Sequence, residues 1–390
     1  MWPLAVADGR AFPLNELPSS ILASESRPTD PQPQFSTRRS VNELRRDPVS
    51  GRWSIIIQDP MQTERLLVNL RERARVTEKY DANCPFCQGN EAQTPPEIYA
   101  VRTGTPPNSP GWTVRVVPDK FPVLRVEGAL NNRAHGMYDL LDGIGAHEIV
   151  IETPEHSTWI PEMDEPHLVQ VLRTYQYRIA DLKKDQRFRY VLVYKSHGEA
   201  TGPAAHHSYS YVIATPVTPP RVKQELLNCA QHYQMKERCL LCDIVHQEES
   251  EGTRVVVDGK DFLAFLPFAS GSPFETWILP KQHETFFEDN AHLEELAWIL
   301  RRVLAALCDV LHEPNYVMLI HSGPNTSYGQ RRGYWRTLAQ DYHWHMEIVP
   351  RVRGFTSFEI VSGMYVNFVP PEHGARVLRE KLSATPGGGL

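Results

Sequence analysis

The chain has no run of eighteen apolar residues, so no segment reads as a transmembrane helix. Met1 to Ala23 lacks a basic region followed by an apolar stretch and is not read as a secretory signal. Positive charge is not in excess. Against 47 Asp and Glu stand 41 Lys and Arg, a formal net charge of −6. No global positive field draws such a chain to nucleic acid or to an acidic membrane. Cysteine is scarce, six in 390 residues, and four of the six fall in two Cys-x-x-Cys pairs. In the cytoplasmic setting expected here, that pattern favours metal ligation over disulfides. Cys229 and Cys308 are left over and read as buried thiols. What is present is ordinary for a soluble globular protein: 41% hydrophobic and 23% charged residues, in a length sufficient for two or more domains.

Residues 1–41 are rich in Pro and Ser and read as an extended arm, and 383–390, ending in Gly-Gly-Gly-Leu, as a mobile tail. Between them short β-rich runs alternate with helical stretches. Strands are expected at 53–57, 114–117, 148–151, 190–194, 212–214, 262–265, 276–279, 316–320, 345–349 and 364–369. Helices are expected at 166–184, 220–234, 293–311 and 371–382, the last opening on Pro-Pro-Glu, a good helix start.

An internal repeat organises these elements. His147-Glu-Ile-Val-Ile-Glu-Thr-Pro-Glu-His156 matches Phe274-Glu-Thr-Trp-Ile-Leu-Pro-Lys-Gln-His283, and Tyr190-Val-Leu-Val-Tyr matches Tyr316-Val-Met-Leu-Ile. The segment from His207 through Tyr209 and Tyr211 matches that from His343 through His345 and Glu347. Each half also opens with Cys-x-x-Cys, at Cys84 and Cys87 and again at Cys239 and Cys242. A duplicated α+β architecture follows, with a boundary near 218–236.

A Cys-x-x-Cys turn presents two thiolates to one metal ion, and two distant histidines complete a tetrahedral shell that suits zinc. The first expected set is Cys84, Cys87, His156 and His207. The second is Cys239, Cys242, His283 and His343, where another divalent metal is also admissible. The plain alternative is core thiols with incidental histidines. A further alternative for the second site keeps His283, His343 and His345 and adds Glu225.

The segment beginning Glu43-Leu-Arg-Arg-Asp-Pro-Val-Ser-Gly-Arg-Trp resembles the opening strand of galactose-1-phosphate uridylyltransferases, a branch of the histidine-triad superfamily. Cys84-Pro-Phe-Cys87, the run from Val116 to Leu124, the segment 148–156, the run from Asp341 to Arg351 and Gly363-Met-Tyr-Val-Asn367 follow in the family's order. The resemblance spans roughly residues 42–382. It implies tandem histidine-triad-like domains, 42–218 and 219–382, each an antiparallel sheet with packed helices. It also implies a homodimer, a nucleotide sugar or sugar phosphate as ligand, and nucleotidyl transfer through a histidine–nucleotide intermediate.

The family motif is His-x-His-x-Gln, in which the first His binds zinc, the second attacks the α-phosphate and the Gln contacts that phosphate. Here His207 matches the first position, Tyr209 stands at the nucleophile and Tyr211 at the Gln. The family's Ser near the phosphate is Ala204, and an Asn at the end of the preceding strand is Ser196. The segment near the base reads Asp119-Lys120-Phe121, and the Arg-rich turn after the first strand has become residues 58–65. Glu347, Gly363 and Asn367 complete the expected substrate-binding set. A phenol, with a pKa near 10, is mostly protonated at neutral pH and a weaker nucleophile there than an imidazole with a pKa near 6.5. Tyr209 would need a base, for which His206 and His197 are the candidates, and His345 occupies the nucleophile position of the second repeat. Three readings stay open: a divergent nucleotidyltransferase-like protein with an altered centre, a non-catalytic zinc-stabilised binding or scaffold protein, and a new metal-dependent activity at the second-half histidines. Arg331 and Arg332 lie in a loop that reads either as a lid or as a solvated connection.

Overall fold

A computed structural model describes residues 41–68, 70, 76–198, 206–327 and 335–384. The expectations for the arm through residue 40, for Ala204, for Arg331 and Arg332, and for the tail beyond residue 384 lie outside these residues. The first half supplies β1 (Glu43–Arg46), β2 (Trp53–Ile56), α1 (Pro60–Val68), β3 (Tyr99–Arg102), β4 (Trp112–Pro118), β5 (Arg133–His135), β6 (Tyr138–Leu140), β7 (Ala146–Ile151), α2 (Glu165–Leu182), β8 (Tyr190–His197) and β9 (Tyr209–Thr215). The second supplies α3 (Pro220–Lys236), α4 (Leu240–Glu251), β10 (Val255–Asp258), β11 (Phe262–Phe265), β12 (Thr276–Pro280), α5 (Leu293–Leu311), β13 (Tyr316–His321), α6 (Leu338–Asp341), β14 (His345–Pro350), α7 (Ser357–Ser362), β15 (Tyr365–Asn367) and α8 (Pro371–Ala384). The class is α+β.

Ten strands form one antiparallel sheet in the order β10-β11-β12-β14-β13-β8-β9-β7-β4-β3. That order reads the same from either end once the halves are equated, β8 with β13, β9 with β14 and β7 with β12. The two repeats therefore meet at a central β8–β13 seam, where Tyr194 lies opposite Leu319 and Ser196 opposite Val317. A smaller sheet, β1-β2-β15, runs β15 parallel to β2.

One face of the large sheet carries α2 and α5. In α2 the buried positions Leu168, Val171, Leu172, Tyr175, Ile179 and Leu182 recur at helical spacing. Its start is fixed by the Asp164 carboxylate, which accepts from the His167 N–H at 2.7 Å. In α5 an apolar stripe from Leu293 to Leu311 packs beside α2 into a core shared with Val191, Val193, Val212, Met346 and Ile348. Strand alternation then sends the other side chains, Tyr194, Tyr209, Tyr211, His345 and Glu347, to the opposite face.

The repeat is present, but its register differs by one from the match read in the sequence. Tyr211 pairs with Ile149 and with Tyr194, while its counterpart Glu347 pairs with Trp277 and Leu319. Ile149 therefore corresponds to Trp277, and Tyr194 to Leu319. Because side chains alternate with a period of two, a one-residue slip exchanges the faces. Glu148 accordingly pairs with Arg178 of α2, whereas Glu275 lines a cavity on the other face. The expected strands and helices all appear, β11 and α5 with the expected limits and the others with shifted ends. Helices α1, α4, α6 and α7 were not expected. The second Cys-x-x-Cys is not a free turn, since Cys239 precedes α4 and Cys242 lies in its first turn.

Candidate functional site

Four ligand atoms of the first set converge. Cys84 Sγ lies 3.6 Å from His207 Nδ1, and Cys87 Sγ lies 3.5 Å from His156 Nδ1 and 3.8 Å from His207 Nδ1. Metal–sulfur bonds of about 2.3 Å and metal–nitrogen bonds of about 2.05 Å at tetrahedral angles predict a sulfur–nitrogen separation of about 3.6 Å. The donors therefore already stand where a shared ion would hold them. His207 Nε2 donates to the Thr153 carbonyl at 2.8 Å, and this bond turns Nδ1 inward toward the two thiols. Burial pulls the His207 imidazole down to about 4, keeping it in the neutral form that ligates. Burial pushes the Cys84 thiol up to about 12, so a thiolate there calls for a cation.

The second set assembles in the same way. Cys242 Sγ lies 3.3 Å from His283 Nδ1 and 3.4 Å from His343 Nδ1, and His283 Nε2 donates to the Ala339 carbonyl at 3.0 Å. Cys239 completes the group. The mixed alternative, His283 and His343 with His345 and Glu225, is not the arrangement found. His345 and Glu225 instead converge with His321, which the sequence reading passed over. Two residues along an extended strand span about 6.6 Å, enough to hand His343 and His345 to neighbouring clusters.

In that third cluster His321 stacks on His345 with ring centroids 4.4 Å apart. His321 Nδ1 lies 2.9 Å from Glu225 Oε2, and Arg221 donates to Glu347. Burial opposes protonation of His321, but Glu225 and Glu347 outweigh it and hold the imidazole up at about 9. Burial and His321 together push His345 down to about 4.

The strand β9 starts at Tyr209. Its ring meets the edge of Phe86, from the first Cys-x-x-Cys turn, at 5.2 Å and the edge of Tyr211 at 5.5 Å. Tyr211 stacks on Tyr194 at 5.1 Å and lies 5.4 Å from His147, whose Nε2 is 3.3 Å from the Asp119 carboxylate. Burial, with the Tyr211 hydroxyl beside it, holds the Tyr209 phenol well above its ordinary range. Neither expected base stands by. His197 is on the helix-bearing face, between Trp159 at 4.4 Å and Tyr316 at 4.8 Å. His206 is exposed, with its ring 6.4 Å from that of His156.

The remaining expected residues are spread out. Ser196 is on the Tyr194 face of β8, and Lys120 and Phe121 are exposed beside Asp119. Gly363 ends α7 in a left-handed conformation, with φ +68°. Asn367 is fully buried, its amide donating to Ser270 Oγ at 2.7 Å. The stretch that replaces the Arg-rich turn is α1. Next to Tyr194 across the seam, Val317 and Leu319 floor a cavity of about 280 Å³ walled by Arg52, Arg221, Arg351 and Arg353. His321 carried no motif and Tyr194 only its place in the repeat, and their strand partners reveal where both side chains stand.

Residues 32–234 match the family model described as galactose-1-phosphate uridyl transferase, N-terminal domain. The chain is 31% identical to the ADP-glucose phosphorylase of Arabidopsis thaliana over 87% of its length and 92% of that protein. It is 24% identical to the galactose-1-phosphate uridylyltransferase of Thermotoga maritima, over 83% of this chain and 96% of that one. A crystal structure of the Arabidopsis thaliana ADP-glucose phosphorylase with bound ADP-glucose superposes with a TM-score of 0.70 at 30% identity, covering 87% of this chain and 99% of that chain. Paired Cys-x-x-Cys and His clusters on one duplicated sheet, matched over most of its length by these proteins, place this chain in the galactose-1-phosphate uridylyltransferase family.

Proposed function

We propose that this chain binds a sugar nucleotide or a phosphorylated sugar on the tyrosine-bearing face of its sheet. On this reading it holds two zinc ions, one in each Cys₂His₂ set, and does not pass a nucleotide through a covalent enzyme intermediate. The observation that carries the reading is the environment of Tyr209. It stands two residues after His207, where the family keeps its nucleophile, as a half-buried phenol packed on Phe86 and Tyr211. Burial holds its proton, neither His197 nor His206 is placed to take it, and an unionised phenol is a poor nucleophile at neutral pH. Binding is supported separately by the cavity that Arg52, Arg221, Arg351 and Arg353 line together with Glu275 and Glu359, since guanidinium groups suit phosphate; Arg221 and Arg353 are themselves held by Glu347 and Glu359. The relative solved with ADP-glucose makes a nucleotide sugar the first ligand to try.

The zinc ions are structural on this reading, because protein side chains fill all four positions of each shell. A cytoplasmic homodimer belongs to the same proposal, as does the division into 42–218 and 219–382. The runner-up, a non-catalytic zinc-stabilised binding or scaffold protein, differs in predicting no turnover of any ligand that binds. The third reading, a new activity at His283, His343, His345 and Glu347, has only His283 open to solvent, the other three being at most 1% exposed.

The test is thermal-shift titration with UDP-glucose, UDP-galactose and ADP-glucose, followed by intact-protein mass. At least one nucleotide sugar is expected to raise the melting temperature without adding mass. A prompt gain of one nucleoside monophosphate, lost in Tyr209→Phe, would overturn the proposal and establish a tyrosine nucleophile.

A further inference from the structure

Behind β9 and the segment from His207 that leads into it, on the helix-bearing face, lies a charged network with no part in the chemistry so far described. Glu152 is 0% exposed and Lys195 1% exposed. Lys195 Nζ donates to Glu152 Oε2 at 2.7 Å, to Ser208 Oγ at 2.9 Å and to the Tyr209 carbonyl at 3.1 Å. Glu152 Oε2 also accepts from Ser208 Oγ at 2.5 Å. Its Oε1 accepts from the Tyr175 hydroxyl at 2.7 Å and from Ser210 Oγ. All three ammonium protons and both carboxylate oxygens are thus engaged.

The molecule contains its own control. By strand register, Lys195, Ser208 and Ser210 correspond to Ile320, Trp344 and Met346 in the second half. Those three are buried among apolar neighbours. The same fold element is therefore built elsewhere in this chain without a lysine or serines at these positions, the Trp344 indole N–H donating to Glu284 Oε2 at 3.0 Å. Replacing a buried ion pair by well-packed apolar residues is often neutral or stabilising, so stability alone does not account for the network.

What the network does that an apolar core does not is hold β9 by directed bonds. Ser208 and Ser210 flank Tyr209, and Lys195 holds the Tyr209 carbonyl. Glu152 directly precedes Thr153, whose carbonyl accepts from His207 Nε2 and so aims the ligand nitrogen. We infer that Lys195 and Glu152, with Ser208, Ser210 and Tyr175, are positioning residues that set His207 toward the ion held by Cys84, Cys87 and His156. The inference rests on the zinc reading of that set. Outer partners of metal ligands are worth about 10–100-fold in metal affinity.

The experiment compares the wild-type chain with Glu152→Met/Lys195→Met, in which both charges leave together. After a chelator is added, alkylation of each cysteine is followed by peptide mass. Cys84 and Cys87 are expected to react about 10–100-fold faster in the variant. Cys239 and Cys242 serve as the internal reference and should keep their rate. Ser208→Ala/Ser210→Ala, which keeps the ion pair, should give a smaller acceleration at the same two cysteines. A folded double variant with unchanged alkylation overturns the inference. A double variant that does not fold overturns it as well, because the network would then be needed for structure. Wild-type protein without zinc at Cys84 overturns the zinc reading and the inference together; zinc present with unchanged alkylation defeats the positioning role alone.

Discussion

At the scale of the residue, the site divides into side chains whose meaning is local and side chains whose meaning is given by their neighbours. The eight Cys and His expected to ligate metal all assemble into two groups. Cys-x-x-Cys is informative before folding, because two thiols three residues apart reach one ion whatever follows. Lys195 and Glu152 carry no such mark: a lysine and a glutamate 43 residues apart become unusual only once both are buried and joined. Cys84 shows what the ion contributes. Burial pushes its thiol up to about 12, and bound zinc would hold it as thiolate. Cys84→Ser should lose one equivalent of zinc and more than about 4 kcal/mol of stability, a loss that single substitutions reach through few mechanisms besides removal of a metal. At about 2–4 °C per kcal/mol, the melting temperature should fall by roughly 10 °C or more. Elemental analysis with calorimetry checks this, and full zinc content at an unchanged melting temperature would refute it.

At the scale of the element, period and capping were readable but register was not. The apolar stripe of α5 predicted its limits from Leu293 to Leu311, because helical spacing over five turns leaves little choice. The strands were found, yet two were matched one residue out of phase. Apolar runs such as those in β8 and β13 look alike in either phase, and the pairing partner decides which face each side chain takes. Helix α7 was missed because it has only six residues and is held by its cap. Glu359 accepts from the N–H groups of Thr356 at 2.7 Å and Val366 at 3.0 Å and from Arg353 at 2.7 and 2.8 Å. Burial raises its carboxyl, but Arg353 and these N–H groups outweigh it and hold the pKa down at about 2. A depressed carboxylate stabilises the folded form above its unfolded pKa and loses that contribution as pH falls through the folded value. Amide protection at 357–366 should therefore decline between about pH 4.5 and pH 2. Glu359→Gln should show weaker protection at pH 6 and no such decline. Hydrogen exchange across that window decides it, and a pH-dependent loss that persists in the variant would contradict the assignment.

At the scale of the whole molecule, the two halves share a sheet rather than merely a linker. The β8–β13 seam pairs Tyr190's strand with Tyr316's along most of its length, and α2 packs on α5 across it. Cutting at residue 218 would leave β8 an open edge, with unpaired backbone groups ready to recruit another strand. A fragment of residues 42–218 is expected to self-associate, and co-expression with 219–384 should restore a soluble complex. Sedimentation velocity distinguishes the outcomes: a folded, monomeric 42–218 fragment would mean that the halves are independent domains.

The sequence by itself determined the duplication and the α+β class and pointed to the two groups of two Cys and two His, because each rests on residue type and spacing along the chain; that Tyr209 falls at the family's nucleophile position follows only from the resemblance. The tertiary structure decided the rest. It chose which face each strand presents, placed His197 away from Tyr209, brought His321 to His345 and Glu225, and set a buried ion pair behind His207. Those outcomes depend on strand pairing between residues far apart in sequence, where a shift of one residue reverses every side chain.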